Sequence, residues 1–370
     1  MSESPEVGKP GIEVPGKLAA VTALPADALM VVAKGIEPPW PALARRLQSG
    51  KLIPFLGAGA SAYSKDQAGG APPSVGDLIQ KLAADAQLGL HCNAPGCQQF
   101  KFDLARLASY YQTCVGVRTE LDQLLKSAIA NPNFTPNPLH HLLARIARET
   151  PMLIITTNYD DLLEKAFDDP ADGAGPVPYE VLVTPVDDLA YEAESNDETG
   201  PEHAGGIWHR KTGGEHLDFT RVADTDLCLD ISRRSVIYKI HGSVPRGTSW
   251  PGGYLIAEED YARFLGRMDR EGMVPGAVIS HIVKKTKRGP VAVRDYSLLF
   301  LGYGMRDWNL RVLLEQLHVG RLAHEMHYAF VLKPDQMEES LFKNRRVEVY
   351  DCDLARFVTN IVANLKKPNE

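Results

Sequence analysis

Four polar or glycine-rich signatures punctuate this chain: Gly57-Ala58-Gly59-Ala60-Ser61, Thr156-Thr157-Asn158-Tyr159-Asp160, His241-Gly242-Ser243 and Gly302-Tyr303-Gly304-Met305-Arg306-Asp307. Their residue types suit the binding of a phosphate-bearing ligand and proton transfer beside it. Glycines at a turn let the backbone approach a pyrophosphate, whose charge then meets amide N–H groups. Gly57, Ala58, Gly59 and Ser61 therefore form a candidate phosphate loop, although the same residues also fit a tight turn without a ligand. His241 offers an imidazole, which when neutral can accept a proton from water. Its place ahead of Gly242-Ser243 favours that role over a packed core histidine. Asn158 can hold a water molecule without adding charge.

Each signature closes a short apolar run, residues 52–56, 152–157, 236–240 and 297–301, of the kind that forms buried parallel strands. Two later strands are expected at 328–332 and 346–350 and one at 179–185, with helices at 41–47, 258–268, 278–285, 309–317 and 354–365. Strands alternating with helices predict an α/β fold with a doubly wound, mainly parallel, Rossmann-like sheet. In such a sheet the carboxyl ends of the strands share one edge, and ligands bind in the crevice there. Four distant segments thus converge on one cleft.

The domain organisation follows from the same pass. Residues 1–38, rich in Pro, Gly and Glu, read as a flexible arm, and 39–370 as one domain. That domain carries a helical insertion at 75–150, expected to cap the sheet, where Leu78, Leu82, Leu104, Leu107, Leu121 and Leu125 repeat at helical spacing. A second insertion, 186–235, is irregular, with room for a hairpin. His203, His209 and His216 in that region read as solvated loop residues. The basic run Lys284-Lys285-Thr286-Lys287-Arg288 reads as a solvated helix end.

The ordered set GAGAS, TTNYD, Lys239-Ile240-His241-Gly242-Ser243 and Phe300-Leu301-Gly302-Tyr303 with Asp307 resembles the sirtuin-like superfamily, whose fold binds NAD+. It is most similar to the bacterial branch of NAD+ hydrolases found in antiphage defence, over about residues 50–320. The resemblance implies that Asn158 orients a water near the nicotinamide ribose, that Asp160 contacts the carboxamide and that His241 is the base beside the ribose. It also implies that Gly57, Ala58, Gly59, Ser61, Thr157, Gly242, Ser243, Gly302, Tyr303 and Asp307 face the dinucleotide. Asp307 and Arg311, at i and i+4, suit an intrahelical bridge equally well. Tyr303 and Trp308 either flank the ligand or fill the core, the core being the reading for Trp308.

Three features depart from the deacylating sirtuins. Thr157 stands where a Gln usually precedes the Asn, and Gly304 where many relatives have Ser. The paired Cys-x-x-Cys motifs of a structural zinc are missing; Cys92 and Cys97, with His91, supply too few ligands for tetrahedral zinc, so free thiols and no metal are expected. The expected function is hydrolysis of NAD+, as substrate, to nicotinamide and ADP-ribose. The alternatives are an NAD-dependent protein deacylase and a non-catalytic sensor of NAD+ or ADP-ribose.

Bulk properties limit the partners. A net charge of −7 over 370 residues gives no reason to expect nucleic acid. No apolar run reaches the roughly 18 to 20 residues that cross a bilayer. Five cysteines without a dense framework or a signal peptide suit a reducing, cytoplasmic location. Unchecked NAD+ consumption would be toxic, and 370 residues leave little room for a sensor domain. Homo-oligomerisation and a separately encoded activator are therefore expected, the resemblance suggesting a HerA-type hexameric ATPase.

Overall fold

The computed structural model describes residues 37–88, 103–171, 173–184, 206–211, 218–244, 253–271, 274–286, 289–292, 296–303, 326–343 and 346–366. In chain order the elements are α1 (Trp40–Gln48), β1 (Leu52–Leu56), α2 (Val75–Asp85), α3 (Leu104–Tyr110), α4 (Arg118–Ile129), α5 (Pro138–Glu149), β2 (Leu153–Thr156) and α6 (Leu162–Asp168). Then come β3 (Tyr179–Val183), β4 (Gly206–Lys211), β5 (Thr220–Ala223), β6 (Ser235–Lys239), α7 (Glu258–Glu271), α8 (Gly276–Ile282), β7 (Val283–Thr286) and β8 (Gly289–Ala292). The chain closes with β9 (Ser297–Leu301), β10 (His327–Val331), α9 (Gln336–Lys343), β11 (Val347–Asp351) and α10 (Leu354–Asn364).

Nine strands form one sheet in the order β11-β10-β9-β1-β2-β6-β3-β4-β5. Every neighbouring pair from β11 to β3 is parallel, and among the described strands of this sheet β4 alone runs the other way, antiparallel to both β3 and β5. The central strands are buried on both faces, which explains their unbroken apolar runs. Alternation divides them between two layers. Leu52, Leu56, Leu299 and Leu301 pack with α1, α5, α6 and α10, through Leu43, Leu143, Phe167 and Phe357. Ile53, Phe55, Leu298 and Phe300 pack on the other face with Phe264, Val278 and Phe342 of α7, α8 and α9. The sheet is therefore doubly wound, as its strand–helix alternation predicts.

After β1 the chain builds the sheet outward through β2, and β9 later joins the opposite flank of β1. The ends of β1 and β9 thus border the point at which strand order reverses, the usual place for a ligand crevice in such sheets. Between β1 and β2, helices α2 to α4 form their own small core of Leu78, Leu82, Leu107, Leu121 and Leu125, joined by Val244, Tyr254 and Ile256 from the far side of the sheet edge. Helix α2 starts on a capping box, with Ser74 Oγ accepting from Asp77 N at 3.1 Å and Asp77 Oδ2 from Ser74 N at 2.8 Å.

Two local expectations change. The helix expected at 278–285 stops at Ile282, and β-branched Val283 and Thr286 continue as β7 of a two-stranded hairpin. The basic run therefore begins in a strand and not at a helix end. Within the stretch read as irregular, β4 alternates buried and half-buried positions and extends the main sheet as an edge hairpin with β5. His209 is buried on β4 with Nε2 2.8 Å from Glu180 Oε2, so it is not a loop histidine. Residues 1–36 of the expected arm 1–38, His203, His216, Cys92, Cys97 and the segment 304–325 lie outside the described residues.

Two glycines give substitutions of opposite sign. Gly302 has φ +66°, and a Cβ there would sit 2.2 Å from Ala60 N. Gly302→Ala is expected to destabilise by about 3 kcal/mol or more. Gly266, inside α7, has open space around its would-be Cβ. Gly266→Ala is expected to stabilise by about 0.5–1 kcal/mol, read as a rise in urea midpoint.

Candidate functional site

The site is built where β1, β2, β6 and β9 end. Strand β1 runs into a 3-10 turn, Ala58–Ser61, that lies against the end of β9. Gly57 N donates to Leu301 O at 3.1 Å and Gly59 N to Gly302 O at 2.9 Å. A Cβ on Gly57 would meet Tyr303 Cδ2 at 2.5 Å, and one on Gly59 would meet Gly302 Cα at 2.9 Å. These glycines are thus required by backbone-to-backbone contact, and two of the amides assigned to a phosphate loop are bonded to β9. Ala58 is exposed beside them. Tyr303 is buried edge-on against Phe55, ring centroids 5.5 Å apart.

Ser61 is the hinge of a three-residue chain. Its hydroxyl donates to Asp160 Oδ2 at 2.8 Å and accepts from Asn158 Nδ2 at 3.1 Å. The other Asp160 oxygen accepts from Leu162 N at 3.1 Å, at the start of α6. Asn158 N donates to Thr156 Oγ1 at 3.0 Å, while Thr157 N and Oγ1 donate to Leu56 O at 3.1 and 3.4 Å. Asn158 and Asp160 remain half-buried while Ser61 is buried, so the loop offers its amide and carboxylate at the edge of a fixed base.

His241 follows β6 as Asn158 follows β2. Thr156 and Lys239 are register partners, and each site residue lies two positions further on. The His241 ring is held by α7, meeting Tyr261 at 5.7 Å and Phe264 at 6.2 Å, both edge-on. Gly242 has φ +82° and a Cβ there would lie 2.1 Å from Gly253 O, so glycine is obligatory. Ser243 N donates to Gly253 O at 3.0 Å, Leu255 N to His241 O at 3.0 Å and Val244 N to Tyr159 O at 3.2 Å. Ser243 is fully buried. Of the expected site residues, Ser61, Asn158 and Asp160 are joined by side-chain hydrogen bonds, and His241 stands on the adjoining strand end against α7. Asp307 and Arg311 lie outside the described residues.

The helical layer grips this edge from above. Arg118 Nη1 reaches both oxygens of Asp260 at 2.8 Å, and its Nη2 donates to Tyr254 O at 3.0 Å. Asp260 Oδ2 accepts from Ile256 N and Ala257 N at 3.0 Å, fixing the entry to α7. Tyr159 stacks obliquely on Tyr254 at 5.1 Å and its hydroxyl donates to Leu255 O.

Several polar residues lie behind the site; Lys239 opens the signature that carries His241, while Glu164, Asn137 and His140 belong to none. Lys239, in an otherwise apolar strand, is 1 % exposed; its Nζ donates to Asp160 O and lies 3.1 Å from Glu164 Oε1. Burial pushes the Glu164 carboxyl above its ordinary range, against the pull of Lys239. Asn137 Nδ2 donates to Ala60 O at 2.6 Å, and Asn137 N donates to His140 Nδ1 at 3.2 Å. Burial drives His140 down to about 4, opposed by Asp160 and reinforced by His141 and Lys239. The one available signal was a lysine at the end of a buried strand, where an unpaired charge is not tolerated.

The family model of the SIR2-like domain matches residues 152–350, more than half of the chain. The chain belongs to the SIR2-like family. The matched segment includes Asn158, Asp160 and His241, with the glycine turn at 57–61 upstream of it. Among curated relatives, NAD(+) hydrolase ThsA of Bacillus cereus (strain MSX-D12) is 26% identical over 299 residues, covering 78% of this chain and 47% of that protein. NAD(+) hydrolase ThsA of Acinetobacter baumannii (strain 532279) is 23% identical over 326 residues, covering 86% and 51%. The chain thus spans about half the length of the curated relatives it matches. A solved structure described as "Structural Basis for the Mechanism and Regulation of Sir2 Enzymes" aligns at a TM-score of 0.35 and 11% identity, over 89% of this chain and 98% of that one. Among the described residues, no helix is long and apolar enough to cross a membrane.

His140 makes stability depend on pH with a definite sign. Its folded pKa of about 4 lies below the ordinary histidine value, so the unfolded chain binds the extra proton first. Stability is therefore expected to fall between about pH 6.5 and 4, by roughly 1–3 kcal/mol from this group. In His140→Gln, which keeps an acceptor for Asn137 N–H, the drop in melting temperature across that window should be shallower. An unchanged slope would remove His140 as its source.

Proposed function

We propose that this SIR2-like domain hydrolyses NAD+ to nicotinamide and ADP-ribose, with Asn158 and His241 as its catalytic residues. The observation that carries the reading is the alignment of two strand ends. Register pairing of Thr156 with Lys239 puts Asn158 and His241 each two residues beyond paired, neighbouring strand ends, and the Ser61 bonds fix the first of them. Both ThsA relatives bear the name NAD(+) hydrolase, which supports the same substrate here.

The chemistry suits these groups. Cleavage breaks the bond between ribose C1′ and the nicotinamide nitrogen, and the bonding pair leaves with nicotinamide. Positive charge grows on the sugar as in glycoside hydrolysis. Water oxygen then bonds to C1′ and its proton passes to a base. Asn158 can orient that water without charge of its own, and a neutral His241 can accept the proton. Asp160, tethered to Ser61, supplies an acceptor for a carboxamide N–H. Gly57, Ala58, Gly59, Ser61, Thr157, Gly242, Ser243, Gly302, Tyr303 and Asp307 belong to the same proposal as the surroundings of the dinucleotide. The amides of Gly57 and Gly59 would reach a phosphate only by exchanging their bonds to β9, so they contribute shape more than donors.

We extend the proposal to biology on the strength of the sequence resemblance alone. The domain would deplete NAD+ during phage infection, in the cytoplasm, as a homo-oligomer held in check until a partner acts. A HerA-type ATPase is the partner that resemblance suggests, and no metal is required by the site.

The test is free nicotinamide released from NAD+, with and without an acyl-lysine peptide. Release without peptide is expected; release only with peptide would indicate a deacylase, and tight binding without release a sensor. Asn158→Ala and His241→Ala are each expected to lower kcat by about a hundredfold or more. Full turnover in both variants would exclude these two side chains from the chemistry.

A further inference from the structure

We propose that Lys239 is a positioning residue that locks the Asn158–Asp160 loop to the strand carrying His241, with Glu164 present to cancel its charge. The inference rests on the NAD+ hydrolase reading for its catalytic consequence, and on geometry alone for the tether itself.

Lys239 ends β6, two residues before His241, and is a register partner of Thr156, two residues before Asn158. Its side chain lies under the neighbouring loop, and its ammonium donates to the main-chain oxygen of Asp160. Asp160 is thereby held at three points: Ser61 and Leu162 N on its carboxylate, and Lys239 on its carbonyl. Asn158 hangs from the same Ser61 hydroxyl. One buried side chain thus ties together the two loops that carry both proposed catalytic groups.

The counter-charge fits this role better than a stabilising one. Lys239 and Glu164 are 1% and 0% exposed and 3.1 Å apart. A buried ion pair contributes little net stability compared with apolar side chains of similar size. Such a pair is therefore poorly explained by packing, whereas a hydrogen bond from a buried lysine to a loop carbonyl is a geometric restraint that an apolar side chain cannot supply. Glu164 lets the lysine stay charged in the core, and it neutralises a cation that would otherwise oppose positive charge growing on the sugar nearby.

The experiment uses the full chain and two readouts. In the paired variant Lys239→Met with Glu164→Leu, both charges leave together, so the fold is expected to survive as a cooperative thermal transition. Amide hydrogen exchange across 158–162 should accelerate about tenfold or more, with β1 and α10 unchanged. Nicotinamide release should lose about tenfold to a hundredfold in kcat, with KM within about threefold, because binding surfaces persist while alignment is lost. If the paired variant does not fold, Lys239→Met alone carries the same readouts, since Glu164 can then take up a proton. Unchanged exchange at 158–162 in a folded variant overturns the tether whatever the activity. Faster exchange with full kcat overturns its catalytic role. A wild-type chain that releases no nicotinamide would sink the hydrolase reading, and the exchange result would still decide the tether.

Discussion

Parallel pairing is the constraint from which the rest of this structure follows. Because β9, β1, β2, β6 and β3 all run the same way, their carboxyl ends lie on one edge and every connection must cross back over a face. Those crossings supply the two helical layers that bury the strands on both sides. They also leave the polar residues following each strand with one place to gather. The site is a by-product of strand direction before it is a product of any single motif.

Satisfying that edge requires more than the signatures themselves. The turn after β1 is wedged against the end of β9 by glycine backbone, and the turn after β2 is held by Ser61, by Leu56 O and from beneath by Lys239. The segment after β6 is threaded between Tyr159 O and the 253–255 backbone, which is in turn gripped by Arg118 and Asp260. The helical layer between β1 and β2 therefore does more than cover the sheet: it orders the backbone that abuts His241. Few of these restraints are exposed, and most pair a polar side chain with main chain, the arrangement that fixes a loop without needing regular structure.

Much of this was legible in the sequence. The apolar runs located the four central strands because parallel strands are buried on both faces, and the residues following them named the candidate site. Helical spacing at Leu78, Leu82, Leu107, Leu121 and Leu125 located the module above it. Short edge strands were harder: β4 and β5 sit among Gly, Asp and His, and only the pairing of β4 with β3 and of β5 with β4 makes the expected room for a hairpin into strands. The end of α8 was misjudged because an apolar run with β-branched residues suits a helix or a strand equally at that length. Glu164, His140 and Asn137 escaped, and Lys239 was seen only as part of its signature, because their roles depend on partners far off in sequence, and a polar residue in an apolar run carries no label of its partner.

The glycine seam between β1 and β9 changes what a loss of activity there can mean. Side chains added at Gly57, Gly59 or Gly302 would prise two strand ends apart whether or not a phosphate ever approaches them. A dead variant at those positions reports on the integrity of the sheet, and the signature could be preserved by folding alone. Ala58, exposed between two of these glycines, is where bulk can be introduced without opening the seam, so interference with a nucleotide can be separated there from damage to the scaffold.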